Sequence, residues 1–134
     1  MKLEQQVSSL GLSKRLKELG ITQNGYFNWS TDNNGKFFVD SEETYPIDAH
    51  YPRPEPLFSA FTASELLELL PRMIMAREYS NFLKIFKSVD EDFIVGYYSY
   101  HLEMVLHAFF DKNICNSLAK MLIYLIENNL LETK

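Results

Sequence analysis

The sequence predicts an α+β domain: an antiparallel sheet of about four to six strands, made of a hairpin and a meander, with an N-terminal helix, a short central helix and a C-terminal helix packed on it. Three observations carry that prediction. Apolar residues recur at helical spacing at both ends of the chain, as Leu12, Leu16 and Leu19 and as Ile114, Leu118, Met121, Leu122 and Leu125. Strand-type alternation fills residues 79–110. Between these regions Asn34-Gly35 lies between two aromatic runs, a strong short-range hairpin signal.

The stretch "GLSKRLKELGITQNGYFNW", residues 11–29, opens with a helix that carries its leucines on one face and Lys14, Arg15, Lys17 and Glu18 on the others. Ser8 or Ser9 suits its N-cap, and Gly20 suits the left-handed residue beyond its end. A DNA-binding helix-turn-helix would need a basic second helix starting near Thr22. The chain instead supplies Asn24-Gly25 followed by Tyr26, Phe27 and Trp29, which is strand composition. The segment therefore reads as helix, turn and hairpin, with "TDNNGK" at the tip and Phe37, Phe38 and Val39 on the return strand.

Residues 46–56, "PIDAHYPRPEP", hold four of the five prolines and read as an extended surface connection. The residues before it are too few for an independent core, so 1–134 is taken as a single domain. In "FTASELLELLP", residues 61–71, Thr62 and Glu65 form a capping box, Leu66, Leu67, Leu69 and Leu70 supply an apolar side, and Pro71 ends the helix. This short helix is expected to lie on the sheet.

Farther on, Asp90-Glu91-Asp92 is the turn between two strands. An unbroken strand over 93–110 would far exceed the usual length, so "YHLE", residues 100–103, is read as a second turn. The strand between them is apolar on both faces, with Ile94, Tyr98 and Tyr100 alternating with Phe93, Val95 and Tyr97. One face requires helices; the other requires a second cover, a ligand or a partner chain. The last helix runs from about 112 or 113 to Asn128, with Asn128-Asn129 suited to close it in the left-handed conformation.

Composition narrows the function. The net charge of -5 argues against a protein that neutralises phosphates, so nucleic acid is not an expected partner. The acidity is concentrated in residues 40–70, where seven Asp and Glu face Arg53 alone. Cys115 is the one cysteine, which excludes an intrachain disulfide and points to a reducing cytoplasm. No apolar stretch approaches the roughly 20 residues of a membrane span, and "MKLEQQVSSLGLSKRL" lacks the apolar core of a signal peptide. The expectation is a cytoplasmic protein with no membrane partner.

His50, His101 and His107 have no tight metal-ligand spacing, and neither a metal nor a cofactor is expected. Cys115 near a helix start, with His107 upstream, reads more simply as a packed thiol than as a nucleophile. The five glycines form no phosphate-binding loop or nucleophile elbow, so no catalytic residue is assigned and the chain reads as a binder more than an enzyme. The aromatic residues remain. Tyr26, Phe27 and Trp29 on the hairpin and Tyr97, Tyr98 and Tyr100 on the meander are candidates for a protein-binding face, with the core as their competing destination. An alternative is a small-molecule pocket, in a sequestering protein or modest enzyme, with His101, Glu103 and His107 as its polar groups. Homodimerisation is a third way to cover the second apolar face.

Three stretches, "VSSLGLSKRLKELGI" at 7–21, "FTASELLELLP" at 61–71 and "AKMLIYLIENNLL" at 119–131, resemble a group of small uncharacterised proteins of bacteriophages, prophages and other mobile elements. They cover roughly a third of the chain. The resemblance implies the same order of elements and a phage or mobile-element setting, and it transfers no activity and no site residue. "PRPEP" and the doubly apolar strand 93–98 have no counterpart in it. Together these readings predict a non-enzymatic accessory protein that binds a cytoplasmic host or phage protein.

Overall fold

The N-terminal helix begins where the serines predict. In the computed structural model, which describes residues 2–43 and 55–131, a 3-10 turn (Leu3–Gln5) precedes helix α1 (Leu10–Glu18), and the Ser9 hydroxyl accepts the Leu12 N–H at 3.3 Å. The remaining elements are β1 (Phe27–Thr31), β2 (Phe37–Asp40), β3 (Phe58–Ala60), α2 (Ala63–Leu69), β4 (Met73–Ala76), β5 (Tyr79–Lys87), β6 (Phe93–Ser99), β7 (Met104–Asp111) and α3 (Ile114–Glu127). Most of the proline-rich connection, and His50 with it, lies outside the described residues.

The class is α+β, with the three helices in the predicted places and antiparallel strands divided between two sheets, ordered β2-β1-β3 and β4-β5-β6-β7. The sequence reading does not contain β3 or β4. Phe58-Ser59-Ala60 is too short to show a period, and "MIMA" shows no alternation of apolar with polar residues.

The first hairpin turns differently from a two-residue Asn-Gly loop. Gly35 alone is left-handed, at φ 79°, while the Asp32 carboxylate accepts the N–H groups of Asn34 at 2.8 Å and Lys36 at 2.9 Å. An Asp side chain thus organises a longer tip. The capping box of α2 forms as predicted: Thr62 Oγ1 accepts the Glu65 N–H at 3.3 Å and Glu65 Oε1 accepts the Thr62 N–H at 2.9 Å. However, α2 packs chiefly on α3 and not on a sheet.

In the larger sheet, β7 carries a bulge opposite Gly96 and Tyr97, where His107 is the extra residue with φ 51°. Gly96 is required by crowding, since a Cβ there would stand 2.5 Å from Val105 Cγ1. Helix α3 lies across the inner face of β6 and β7, and its Leu118, Met121, Leu122 and Leu125 are fully buried with Leu16, Leu66, Val95 and Tyr97. Each such side chain contributes roughly 1.5–3 kcal/mol by burial.

A second, smaller cluster joins Val7, Trp29, Val39 and Ala60. Residues 6–9 stitch the two together. Ser8 N–H donates to Phe61 O at 2.8 Å, Ser8 Oγ accepts the Phe61 N–H at 3.0 Å, and Ser8 O accepts Trp29 Nε1–H at 3.0 Å. On the other side, Asn113 Nδ2 donates to Val7 O at 3.0 Å and the Ser9 N–H to Asn116 Oδ1 at 2.8 Å, which fastens this strap to the start of α3.

Candidate functional site: the outer face of the four-stranded sheet

Residues directly opposed in antiparallel strands share a face. The register therefore sorts the larger sheet into rows. Leu83-Tyr97-Leu106 and Ile85-Val95-Phe109 belong to the face that α3 covers. Phe82-Tyr98-Val105, Lys84-Gly96-Ala108 and Phe86-Ile94-Phe110 belong to the opposite face, which Met73 and Met75 extend along β4. No helix lies on this outer face among the described residues.

The outer face is apolar and open. Phe110 is 62% exposed, Phe86 45% and Met75 56%, and Tyr100 just beyond β6 is 60% exposed. Strand spacing and rise give an area on the order of 400 Å², the scale at which an exposed apolar patch marks an interaction site. Its rings meet edge to face: Tyr98 and Tyr100 at 4.8 Å between centroids, Phe82 and Tyr100 at 5.8 Å. Lys84 is the one charged strand residue here, because Lys87 and Asp111 share the opposite face with Phe93. Its ammonium stands 5.8 Å from the Tyr98 ring and 5.4 Å from the Tyr100 ring, and no carboxylate pairs with it among the described residues. At the end of the sheet Lys112 and Asp92 neutralise each other at 3.1 Å.

No protein-family model, curated protein or solved structure matches the chain.

Of the six aromatic candidates, Tyr98 and Tyr100 lie on the outer face. Tyr97 does not: it is fully buried on the α3 side, its hydroxyl donates to Pro71 O at 2.7 Å, and burial pushes its phenol well above the ordinary range. Trp29 is also core, 8% exposed, with its indole N–H on Ser8 O. Phe27 packs on that smaller cluster. Tyr26 is half exposed just before β1, where its hydroxyl donates to Glu43 Oε2 at 2.6 Å, a bond that raises its phenol pKa. The hairpin and meander aromatics thus do not form one surface.

The three polar pocket candidates also separate. His101 stacks on Tyr79 at 3.9 Å, His107 tilts against Tyr124 of α3 at 4.6 Å, and Glu103 is a left-handed turn residue with φ 53°. None of them lines the cleft of about 1060 Å³ between Leu69, Pro71, Met73, Met75 and Leu130, or the cleft of about 450 Å³ between Gln23, Tyr26, Asn28 and Glu42. Among the described residues no group of three or more His, Cys, Asp or Glu could hold a metal ion, and no helix is long and apolar enough to cross a membrane.

Cys115 has the environment of a packed thiol. Its Sγ donates to Gln6 O at 3.3 Å, and burial pushes its pKa up to about 11, the opposite of an activated nucleophile. The residues that the sequence reading missed are Phe82, Lys84, Phe86 and Phe110, with Met73 and Met75 at the edge. Their signal was present in "NFLKIFK", but β5 is apolar in both phases, so the pattern alone does not say which phase faces outward.

Proposed function

We propose that the chain is a non-enzymatic accessory protein of a phage or other mobile element that binds a cytoplasmic host or phage protein through the outer face of its four-stranded sheet. The observation that carries this reading is the contiguous apolar field of Phe82, Phe86, Ile94, Tyr98 and Phe110, which no other described element of the chain covers. A sheet with one face on helices and the other apolar to solvent leaves a large hydration cost that docking would remove. The resemblance of residues 7–21, 61–71 and 119–131 motivates the mobile-element setting.

The test is a comparative capture from host lysate with tagged wild-type protein and the double variant Phe86→Ser/Phe110→Ser. Both positions are exposed, so the variant is expected to fold. A stoichiometric protein retained by the wild type and lost with the variant supports docking on this face. Equal retention by both would move the contact elsewhere, and a co-purifying small molecule in place of a protein would favour the pocket alternative.

A further inference from the structure

We infer that the segment docking on the outer face carries a single Asp or Glu set among apolar side chains, and that Lys84 receives its carboxylate. This rests on the docking role proposed above and names the chemistry of the partner.

Charge complementarity selects the occupant. Lys84 occupies the middle row of the face, between the row of Phe82 and Tyr98 and the row of Phe86, Ile94 and Phe110. Its own row is otherwise small, Gly96 and Ala108, so the ammonium is not walled off from above. At present the charge rests against two tyrosine rings, with water for its remaining hydrogen bonds. A partner that covers the aromatic rows removes that water, and a buried ammonium without a counter-ion opposes binding strongly. A carboxylate brought to this point by the covering segment keeps the charge paired as the water leaves. The hydroxyls of Tyr98 and Tyr100 belong to the same two rings and have no hydrogen-bond partner among the described residues, so they offer O–H donors beside the ammonium.

The other occupants fit this charge less well. A second copy placed face to face across a two-fold axis through the middle row would bring Lys84 against its equivalent, with no strand carboxylate on either surface. A nucleic acid strand carries a charge at every phosphate, whereas this face supplies one cation on a protein of net charge -5. An apolar peptide segment with one carboxylate matches both the area and the charge.

Selection from a random short-peptide library on the immobilised full-length protein tests this, followed by fluorescence-polarisation titration of the enriched peptides. Winners are expected to carry one Asp or Glu flanked by apolar residues. They should weaken about tenfold or more on Lys84→Glu and lose binding on Phe110→Ser. Replacing the acid of the peptide by Lys should restore binding to the Lys84→Glu variant, a reciprocal exchange that misfolding cannot imitate. Winners that depend on Phe110 but carry no acid and ignore Lys84→Glu would overturn the charge assignment while leaving the docking role standing. No winners, or winners indifferent to Phe110→Ser, would overturn both. So would a concentration-dependent dimer in sedimentation, or oligothymidine binding, abolished by Phe110→Ser.

Discussion

Ser8 shows how much one small side chain can organise. Its hydroxyl accepts the Phe61 N–H and lies 2.7 Å from the Ser13 hydroxyl, which itself donates to Ser8 O at 3.1 Å. Since Ser13 spends its proton on that carbonyl, the Ser8 proton must go to Ser13 Oγ, and the fully buried pair closes on itself. Ser8→Ala leaves the Phe61 amide without its acceptor and should cost about 1–3 kcal/mol in urea unfolding. Cys115 makes a second prediction at this scale. The folded thiol holds its proton up to about pH 11, whereas the unfolded one releases it near 9, its ordinary value. Its contribution is therefore complete below pH 9 and is lost as pH rises towards 11. Denaturation midpoints across the window should fall less steeply in Cys115→Ala. The residual slope would belong to Tyr97 and Tyr26, whose phenols are both raised in the same direction.

At the scale of elements, the turns explain both what the sequence revealed and what it hid. The hairpin between β4 and β5 has two central residues, Arg77 and Glu78, both left-handed at φ 51° and 67°. That conformation is normally carried by Asn-Gly, and here two long side chains bear its strain. Replacing Arg77-Glu78 by Asn-Gly is expected to stabilise the fold by about 1 kcal/mol, read as a higher midpoint in thermal or urea unfolding. This mismatch is also why β4 was illegible, since its turn carries none of the residue types that mark such hairpins. Conversely, Asn34-Gly35 announced a hairpin correctly while its loop is set by Asp32, two residues earlier. Helix ends were legible because Ser9, Thr62 and Asn113 cap through bonds local in sequence. The packing of α2 on α3 was not, because which element meets a short apolar stripe is decided by distant chain.

For the whole molecule, the decisive asymmetry lies between the two faces of one sheet. The alternation at Phe93 to Tyr100 already required a second cover, and so the existence of an open face was readable. Its membership was not, because Phe82 and Phe86 alternate with Leu83 and Ile85, and only the position of α3 chooses between the phases. The same choice sent Tyr97 inward and left Tyr98 outward, one residue apart. This asymmetry separates stability from surface activity in a measurable way. Phe86→Ser/Phe110→Ser should lower the fluorescence of a bound hydrophobic dye such as ANS while shifting the melting midpoint less than a core substitution does, because both rings are already about half in water in the free protein. Tyr97→Ala should do the reverse, creating a cavity beneath α3, orphaning the Pro71 carbonyl and costing about 3–5 kcal/mol. If the serine pair instead destabilised the chain as much as the Tyr97 variant, the outer rings would be part of the fold's own core, and the face could not be a vacant docking surface.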